Sequence, residues 1–311
     1  MTPRPPSVLV VGSVNQDVTV RTPRFPAPGE TLAGRDVIHG LGGKGANQAV
    51  ASARTGLPTK LLARVGDDDA GRRLTTSLRE LGVDVTLVRS SSRPTGTALV
   101  MVDDAGENSI IVVAGANAET SPEDVQGARE AIARAGVVVV QGEVPPETIR
   151  AVLDVAAGTS TRVVVNLAPF VALPEGTLAK AAALVVNETE TGQLLGGAAP
   201  ASVAAALDAA RALARDIPLV VVTLGANGAV YAEATGATAH VPVTAAARVV
   251  DTTGAGDAFV GVLAAALACG AASSAAVADA VRAASRAVEN LGAAPSYPAF
   301  ELQSHVDRGS S

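Results

Sequence analysis

The sequence predicts an α/β fold on a mainly parallel sheet flanked by helices. Three observations carry this. Short apolar runs recur along the chain, and most of them end abruptly in Asn, Gln, Glu or Thr. Longer, Ala-rich segments with helical spacing of apolar residues lie between them. One pair of strand-like runs instead brackets a turn, which reads as a hairpin interrupting the alternation. Strands that alternate with helices run parallel, with the helices covering the sheet. Ligands of such sheets bind off the carboxyl ends of the strands, where these polar endings collect.

Ser7 to Gly12 is a short apolar run suited to a buried central strand. It ends in Gly12-Ser13-Val14-Asn15-Gln16-Asp17, where Asn15 and Asp17 are placed to contact a polyol; ordinary turn chemistry is the plainer alternative. Phe25 to Thr31 forms a Pro-rich rigid loop. Gly42-Gly43-Lys44-Gly45-Ala46-Asn47 then opens a helix that runs to about Thr55 and stops at Gly56. The backbone there can approach a ligand closely, with Lys44 and Asn47 as polar handles. The same glycines match the dinucleotide pattern G-x-G-x-x-G from Gly40 to Gly45, with strand-like Lys60–Ala63 and Asp67 downstream. That match keeps an NAD-dependent dehydrogenase in view as a distant alternative.

A polar helix follows Asp69 and ends near Gly82. The hairpin pairs Thr95–Val102 with Asn108–Val113 across Asp103–Glu107. With the segment around residues 14–40, the stretch 94–113 is expected to form a small sheet lying over the pocket as a lid. Such a sheet has an apolar face to bury, so it is also a candidate dimer contact. After a helix from about Pro122, strand-like runs end at Gln141-Gly142-Glu143, at Asn166, at Asn187-Glu188-Thr189-Glu190 and at Thr223–Gly228. Asn187 and Glu190 fit a phosphate and a Mg²⁺-bound water, and they equally fit a helix capping box.

Residues 247–250 read as the end of an extended segment. Asp251-Thr252-Thr253-Gly254-Ala255-Gly256-Asp257 then passes through a Gly-Ala-Gly turn into an apolar helix that stops at Gly270. A helix N-terminus preceded by glycine offers free N–H groups and a positive dipole end, an anion site suited to phosphate. Asp257 falls in the first turn, where its carboxylate can take a proton from an attacking hydroxyl; a simple helix cap is the alternative. A last helix spans about Ala271 to Glu289, and Asn290 to Ser296 breaks regular structure and frees carbonyls.

Bulk properties narrow the function classes. The chain has 311 residues, 48% hydrophobic and 17% charged, so it can bury a sizeable core. No repeat or low-complexity linker divides it, and residues 1–311 are expected to form one α/β domain. Aromatics make up only 2%, so the core must be Ala, Val and Leu. A net charge of −6 with no basic run argues against a nucleic-acid surface. The single cysteine, Cys269, has no partner for an internal disulfide. With no signal peptide or membrane-length apolar stretch in view, a cytoplasmic location is expected. The three histidines lack ligand spacing, so any metal here is expected to be a hard cation on oxygen ligands, arriving with phosphate.

Taken together, the motifs at Gly12–Asp17, Gly42–Ala49, Asn187–Glu190, Thr223–Gly225 and Asp251–Asp257, with Glu107-Asn108 and Ala114–Asn117, resemble the ribokinase branch of the carbohydrate kinase family, in the family's order. The resemblance covers nearly the whole chain. It implies a three-layer α/β sandwich with a β-sheet lid that pairs two subunits into a homodimer. It also implies ATP-dependent phosphorylation of a pentose's primary hydroxyl, O5 of D-ribose first, with 2-deoxyribose or another sugar as the alternative. By matching position, Asn15, Asp17, Gly42, Gly43, Lys44, Asn47 and Glu143 would hold the sugar. Asp257 would be the base, with Gly254, Ala255 and Gly256 as the anion hole. Asn187, Glu190, Thr223, Gly225, Gly228 and Gly256 would bind nucleotide with its Mg²⁺. A K⁺ site would fall at Asp251, Thr253, Ala287, Asn290, Gly292 and Ser296. A sugar sensor without turnover is disfavoured, because Asp257 and the Gly-Ala-Gly turn are both present. These expectations require folding to bring position 257 against the N-terminal half.

Overall fold

A computed structural model describes residues 5–243 and 248–303. Along the chain, β1 (Val8–Val11), β2 (Asn15–Arg21) and β3 (Asp36–Gly42) precede α1 (Lys44–Ala53) and β4 (Thr59–Gly66). Next come α2 (Asp69–Glu80), β5 (Asp84–Ser91), β6 (Gly96–Val102) and β7 (Asn108–Val113). The short helices α3 (Pro122–Gly127) and α4 (Arg129–Arg134) lead to β8 (Val137–Gln141), α5 (Pro146–Ala157) and β9 (Arg162–Asn166). Then follow β10 (Ala183–Asn187), α6 (Glu188–Leu195), α7 (Val203–Leu213) and β11 (Leu219–Thr223). The chain closes with β12 (Ala229–Glu233), β13 (Thr238–Val241), α8 (Ala255–Ala268) and α9 (Ser273–Ala287).

The main sheet has nine strands in the order β13-β12-β11-β10-β9-β8-β1-β4-β5. Strands β5 through β11 in that order are parallel, and β12 and β13 add an antiparallel edge. Both faces of this sheet are covered, which explains why its strands read as continuous apolar runs. Successive residues alternate between the faces. Val8 and Val10 pack with α1, α2, α8 and α9, whereas Leu9 and Val11 pack with α3, α4, α5 and α7. The expected three layers are present.

Helix α8 is the central helix of its layer, and every residue from Asp257 to Leu267 is buried. Small residues make that possible. A Cβ on Gly261 would lie 2.5 Å from the Gln48 carbonyl, so the missing side chain is what lets α8 close onto α1. The Ala- and Gly-rich composition is thus a packing requirement, since close helix approach replaces bulky side chains.

The expected small sheet is separate from the main one, in the order β3-β2-β6-β7. Its hairpin, β6–β7, lies where the turn residues placed it. The dinucleotide-pattern glycines Gly40 and Gly42 fall within β3 of this small sheet, not between a parallel strand and its crossover helix. That removes the context the dehydrogenase reading needs. The stretch read as the end of an extended segment joins no sheet within the described residues. Residues 248–250 are not strand, because the Val250 and Asp251 N–H groups both bond the Val288 carbonyl, at 2.8 and 3.1 Å, instead of a neighbouring strand; position 247 lies outside the described residues. Among the described residues, no helix is long and apolar enough to cross a membrane.

Candidate active site

The parallel strands β1, β8, β9, β10 and β11 bring Ser13, Gln141, Asn166, Asn187 and Thr223 to one edge of the sheet. Two helix N-termini join them there. Helix α1 is capped by Gly43 at φ 88°, and α8 by Gly254 at φ 76°, a left-handed conformation that disfavours side chains. Because α1 and α8 pack directly, their first turns meet. The Asp257 carboxylate, 7% exposed, accepts an N–H from Asn47 and another from Gln48, each at 2.9 Å. Position 257 therefore does lie against the N-terminal half, across 210 residues of sequence.

A buried chain of amides stands behind this carboxylate. Gln48 Nε2 also donates to Asn166 Oδ1 at 2.9 Å, and Gln48 Oε1 accepts from Gln141 at 2.8 Å. Asn166 in turn donates to the Val185 carbonyl at 3.1 Å. Each amide is oriented by its neighbour, so one Asp257 oxygen is held in place from β8 and β9. Gln48, Gln141 and Asn166 were missed as site residues. Two of them showed as polar strand endings, and Gln48 directly follows Asn47, but no spacing tells that the three side chains touch.

Around Asp257 the expected sugar-side residues gather. Glu143 accepts the Ser13 hydroxyl and the Lys44 backbone N–H, the latter at 2.9 Å. Asn15 is buried, and its carbonyl oxygen is taken by the Asn117 amide at 2.7 Å, which leaves its own N–H₂ as the donor. Asn47 keeps a buried Oδ1 with no partner among the described residues, an acceptor suited to a hydroxyl ligand. Gly42 leaves the room that the Asp17 carboxylate fills, since a Cβ there would lie 2.1 Å from an Asp17 oxygen. Burial first, then the neighbouring charges of Glu143 and Asp257, push Asp17 up to about 7. Lys44 is pushed the other way relative to its burial: the Asp257 charge outweighs desolvation and, with Glu143 and Glu190, raises it.

On the far side, Asn187 and Thr223 are register neighbours at the ends of β10 and β11. Asn187 caps α6 and Glu190 closes the capping box, with bonds of 2.8 and 2.9 Å. The capping alternative is therefore realised, and it leaves the other Glu190 oxygen without a hydrogen bond among the described residues. Gly225 and Gly228, both at positive φ, shape the turn after β11. The first turn of α8 completes the arrangement, because the Gly256 and Asp257 N–H groups find no acceptor in the described residues. Ala255 N–H does bond, to the Thr252 carbonyl at 3.2 Å.

Four of the six expected cation residues form one cluster. Asp251 accepts the Thr253 N–H and hydroxyl at 2.9 and 2.7 Å and the Gly292 N–H at 2.8 Å, and Ser296 donates to the Gly292 carbonyl at 3.0 Å. Burial acts to raise Asp251, but these donors hold it below the usual carboxylate value. Ala287 ends α9, and its carbonyl accepts the Asn290 N–H at 3.3 Å; the Asn290 side chain turns to the Arg286 carbonyl at 3.4 Å.

Residues 5–299 match the family described as pfkB family carbohydrate kinase. The chain belongs to this family. It is 37% identical over 261 residues to the ribokinase of Mus musculus, covering 83% of this chain and 80% of that protein. A deoxyribokinase of Salmonella typhi is 33% identical over 297 residues, 94% of this chain and 96% of the relative. The structure of the Arabidopsis thaliana ribokinase complexed with ribose and ATP superposes with a TM-score of 0.87 at 32% identity, over 99% of each chain. This chain is an ATP-dependent carbohydrate kinase of the same α/β architecture. Phosphoryl transfer needs positioned reactants and electrostatic stabilisation more than covalent help from the protein. The edge where α1, α8 and the strand ends meet has the parts for both.

Proposed function

We propose that this kinase transfers the γ-phosphoryl group of ATP to the O5 hydroxyl of D-ribose. The observation that carries the reading is the pair of 2.9 Å amide bonds that fix Asp257 beside Asn47, with the unpaired N–H groups of α8 next to it. The sugar would rest on Asn15, Asp17, Lys44, Asn47 and Glu143, with the Gly42-Gly43 backbone close by. O5 would point at Asp257, which takes its proton as the oxygen attacks phosphorus. The Gly254-Ala255-Gly256 turn and the α8 dipole would stabilise charge on the transferring group. Nucleotide would lie along Asn187, Thr223 and the Gly225–Gly228 turn. Alignment of two bound substrates supplies roughly 7–11 kcal/mol of the barrier reduction.

Mg²⁺ fits the Glu190 oxygen outside the capping box, by way of water and the phosphates, and supplies charge neutralisation there. Among the described residues, no group of three acids, histidines or cysteines is spaced to cage a metal. A K⁺ ion fits the all-oxygen set of the Asp251 carboxylate and the carbonyls of Thr253, Ala287 and Gly292, near Ser296 and Asn290. Ionised Asp251 supports that reading.

A second copy of the chain would cover the small sheet. Its strand β7 is exposed at all six residues, and Ile110, Ile111, Val112 and Val113 are each more than half exposed. So large an apolar face on the edge of a sheet that would close the pocket suits a homodimer. Sedimentation should find a dimer for the parent and a monomer for Ile111→Lys; a monomeric parent at micromolar concentration would rule the lid dimer out.

The deoxyribokinase relative favours 2-deoxyribose as the second reading. An ADP-release assay over pentoses and hexoses, with and without K⁺, separates the two. D-ribose should give the highest kcat/KM, and a larger value for 2-deoxyribose would reverse the assignment. Run across pH, the same assay tests Asp17. Ionised, its carboxylate accepts from sugar hydroxyls at both oxygens; protonated, it turns one oxygen into a donor and loses acceptor capacity, and burial with the Glu143 and Asp257 charges pushes that change up to about 7. KM for sugar should therefore rise as pH falls from 8 to 6, while Asp17→Asn should show a raised KM with no such slope. A flat KM in the parent would remove Asp17 as a hydroxyl acceptor.

A further inference from the structure

The chain contains only two tyrosines, and one of them lies behind the transfer turn. Tyr297 is 4% exposed and follows the short helical turn Ala294–Ser296 in the C-terminal loop. Its hydroxyl donates to the carbonyl of Gly254 at 2.6 Å. The same oxygen accepts the Ala258 N–H at 2.9 Å, the first bond of α8. Both lone pairs of the N-cap carbonyl are thus occupied, one from inside the helix and one from 43 residues away.

The phenol and the glycine are matched in shape. A Cβ on Gly254 would lie 2.3 Å from the Tyr297 hydroxyl oxygen, so the hydroxyl takes the space a side chain would fill. At its other end the turn is held by Asp251, which accepts the Gly292 N–H at 2.8 Å. The segment 251–254 is therefore tied to the loop 292–297 at two points. The orientation of the Gly254–Ala255 peptide sets where the free N–H groups of Gly256 and Asp257 aim.

We propose that Tyr297 is a positioning residue, a latch whose hydroxyl bond to Gly254 holds the first turn of α8 in the geometry that receives the transferring phosphoryl group. It touches neither substrate, and the proposal rests on the kinase reading above. A turn free to tilt by a fraction of an ångström would still bind ATP and sugar. It would meet the transition state less well, because preorganised donors act only where charge develops.

The test is Tyr297→Phe, which keeps the ring and removes one oxygen. Expected are a kcat lower by about tenfold, KM values for D-ribose and ATP within twofold of the parent, and an unchanged Tm. Affinity for ADP with aluminium fluoride and D-ribose should fall with kcat, while affinity for ADP alone should not. Tyr297→Met, which also lacks the hydroxyl, should give the same split if the Phe variant loses stability. A parent that turns over and a Phe variant within twofold of it in kcat would overturn the latch and leave the kinase reading intact. A parent with no turnover on any sugar would overturn both. Equal losses in Tm and in both KM values, with kcat preserved, would reduce Tyr297 to a packing residue and end the proposal.

Discussion

Asp257→Asn is expected to lower kcat by about 10²–10⁴-fold, the range for a positioned base, while sugar and ATP still bind. The substitution is nearly isosteric, yet it changes the hydrogen-bond arithmetic. The carboxylate accepts from two amide donors, Asn47 and Gln48, and a carboxamide has one acceptor oxygen. Gln48 is locked by Gln141 and Asn166, so it cannot turn without breaking both bonds. Asn47 can turn, because its other amide atom, Oδ1, is buried without a partner among the described residues. The variant should therefore place its N–H₂ towards a flipped Asn47, keep its oxygen on Gln48, and lose at most about 1–3 kcal/mol of stability. Single-turnover kinetics, calorimetric binding of D-ribose and a thermal melt read the three consequences separately. A kcat near the parent's would strike Asp257 from the base role; lost sugar binding would mean that the Asp257 carboxylate, or the Asn47 Oδ1 that the flip turns away, holds substrate.

Gly45→Ala is expected to damage the fold itself. A Cβ at this position would lie 2.4 Å from the Ser13 nitrogen and 2.6 and 2.7 Å from the Gly12 carbonyl carbon and Cα. All three are backbone atoms of the β1 exit and cannot swing away as a side-chain tip does. Overpacking of this kind costs about 3 kcal/mol or more, at the upper end of its usual range. For a chain of 311 residues, at about 2.1 cal/mol/K of unfolding entropy per residue, that corresponds to a drop in Tm of roughly 5 °C. The site suffers as well, because the same strand exit carries Ser13, whose hydroxyl bonds Glu143 and accepts the Gly45 N–H at 3.2 Å. KM for sugar should rise together with the loss in Tm. Gly197→Ala is the control: a Cβ there meets nothing within 4 Å and the backbone φ is ordinary, so its Tm should stay within about a degree. A Gly45→Ala protein as stable as that control would mean that α1 does not press on β1 as described.

Much of the fold was legible in the residues because it follows from local rules. Uninterrupted apolar runs with polar ends announce parallel strands buried on both faces and a site at their carboxyl edge. The Asn187–Glu190 box, the glycine caps at positions 43 and 254 and the hairpin around Asp103–Glu107 depend on neighbours within a few positions. The antiparallel edge β12–β13 was not foreseen, since apolar composition alone does not report strand direction. Residues 248–250 show the same limit: extended-looking sequence pairs as strand only if a partner edge is free, and here the Val288 carbonyl at the end of α9 takes the Val250 and Asp251 N–H groups.

Local chemistry, then, was determined by the sequence alone: which residues cap, turn, alternate and expose backbone N–H groups, and from these a phosphate-binding α/β enzyme of this family. The tertiary structure alone decided which distant groups touch. That Gln48 would link Gln141, Asn166 and Asp257, that Asn117 would orient Asn15, and that Tyr297 would reach the Gly254 carbonyl depend on how closely α1, α8 and the strands pack. Glycine and alanine permit that closeness without specifying the partner, because a missing side chain leaves room and the rest of the fold determines what fills it.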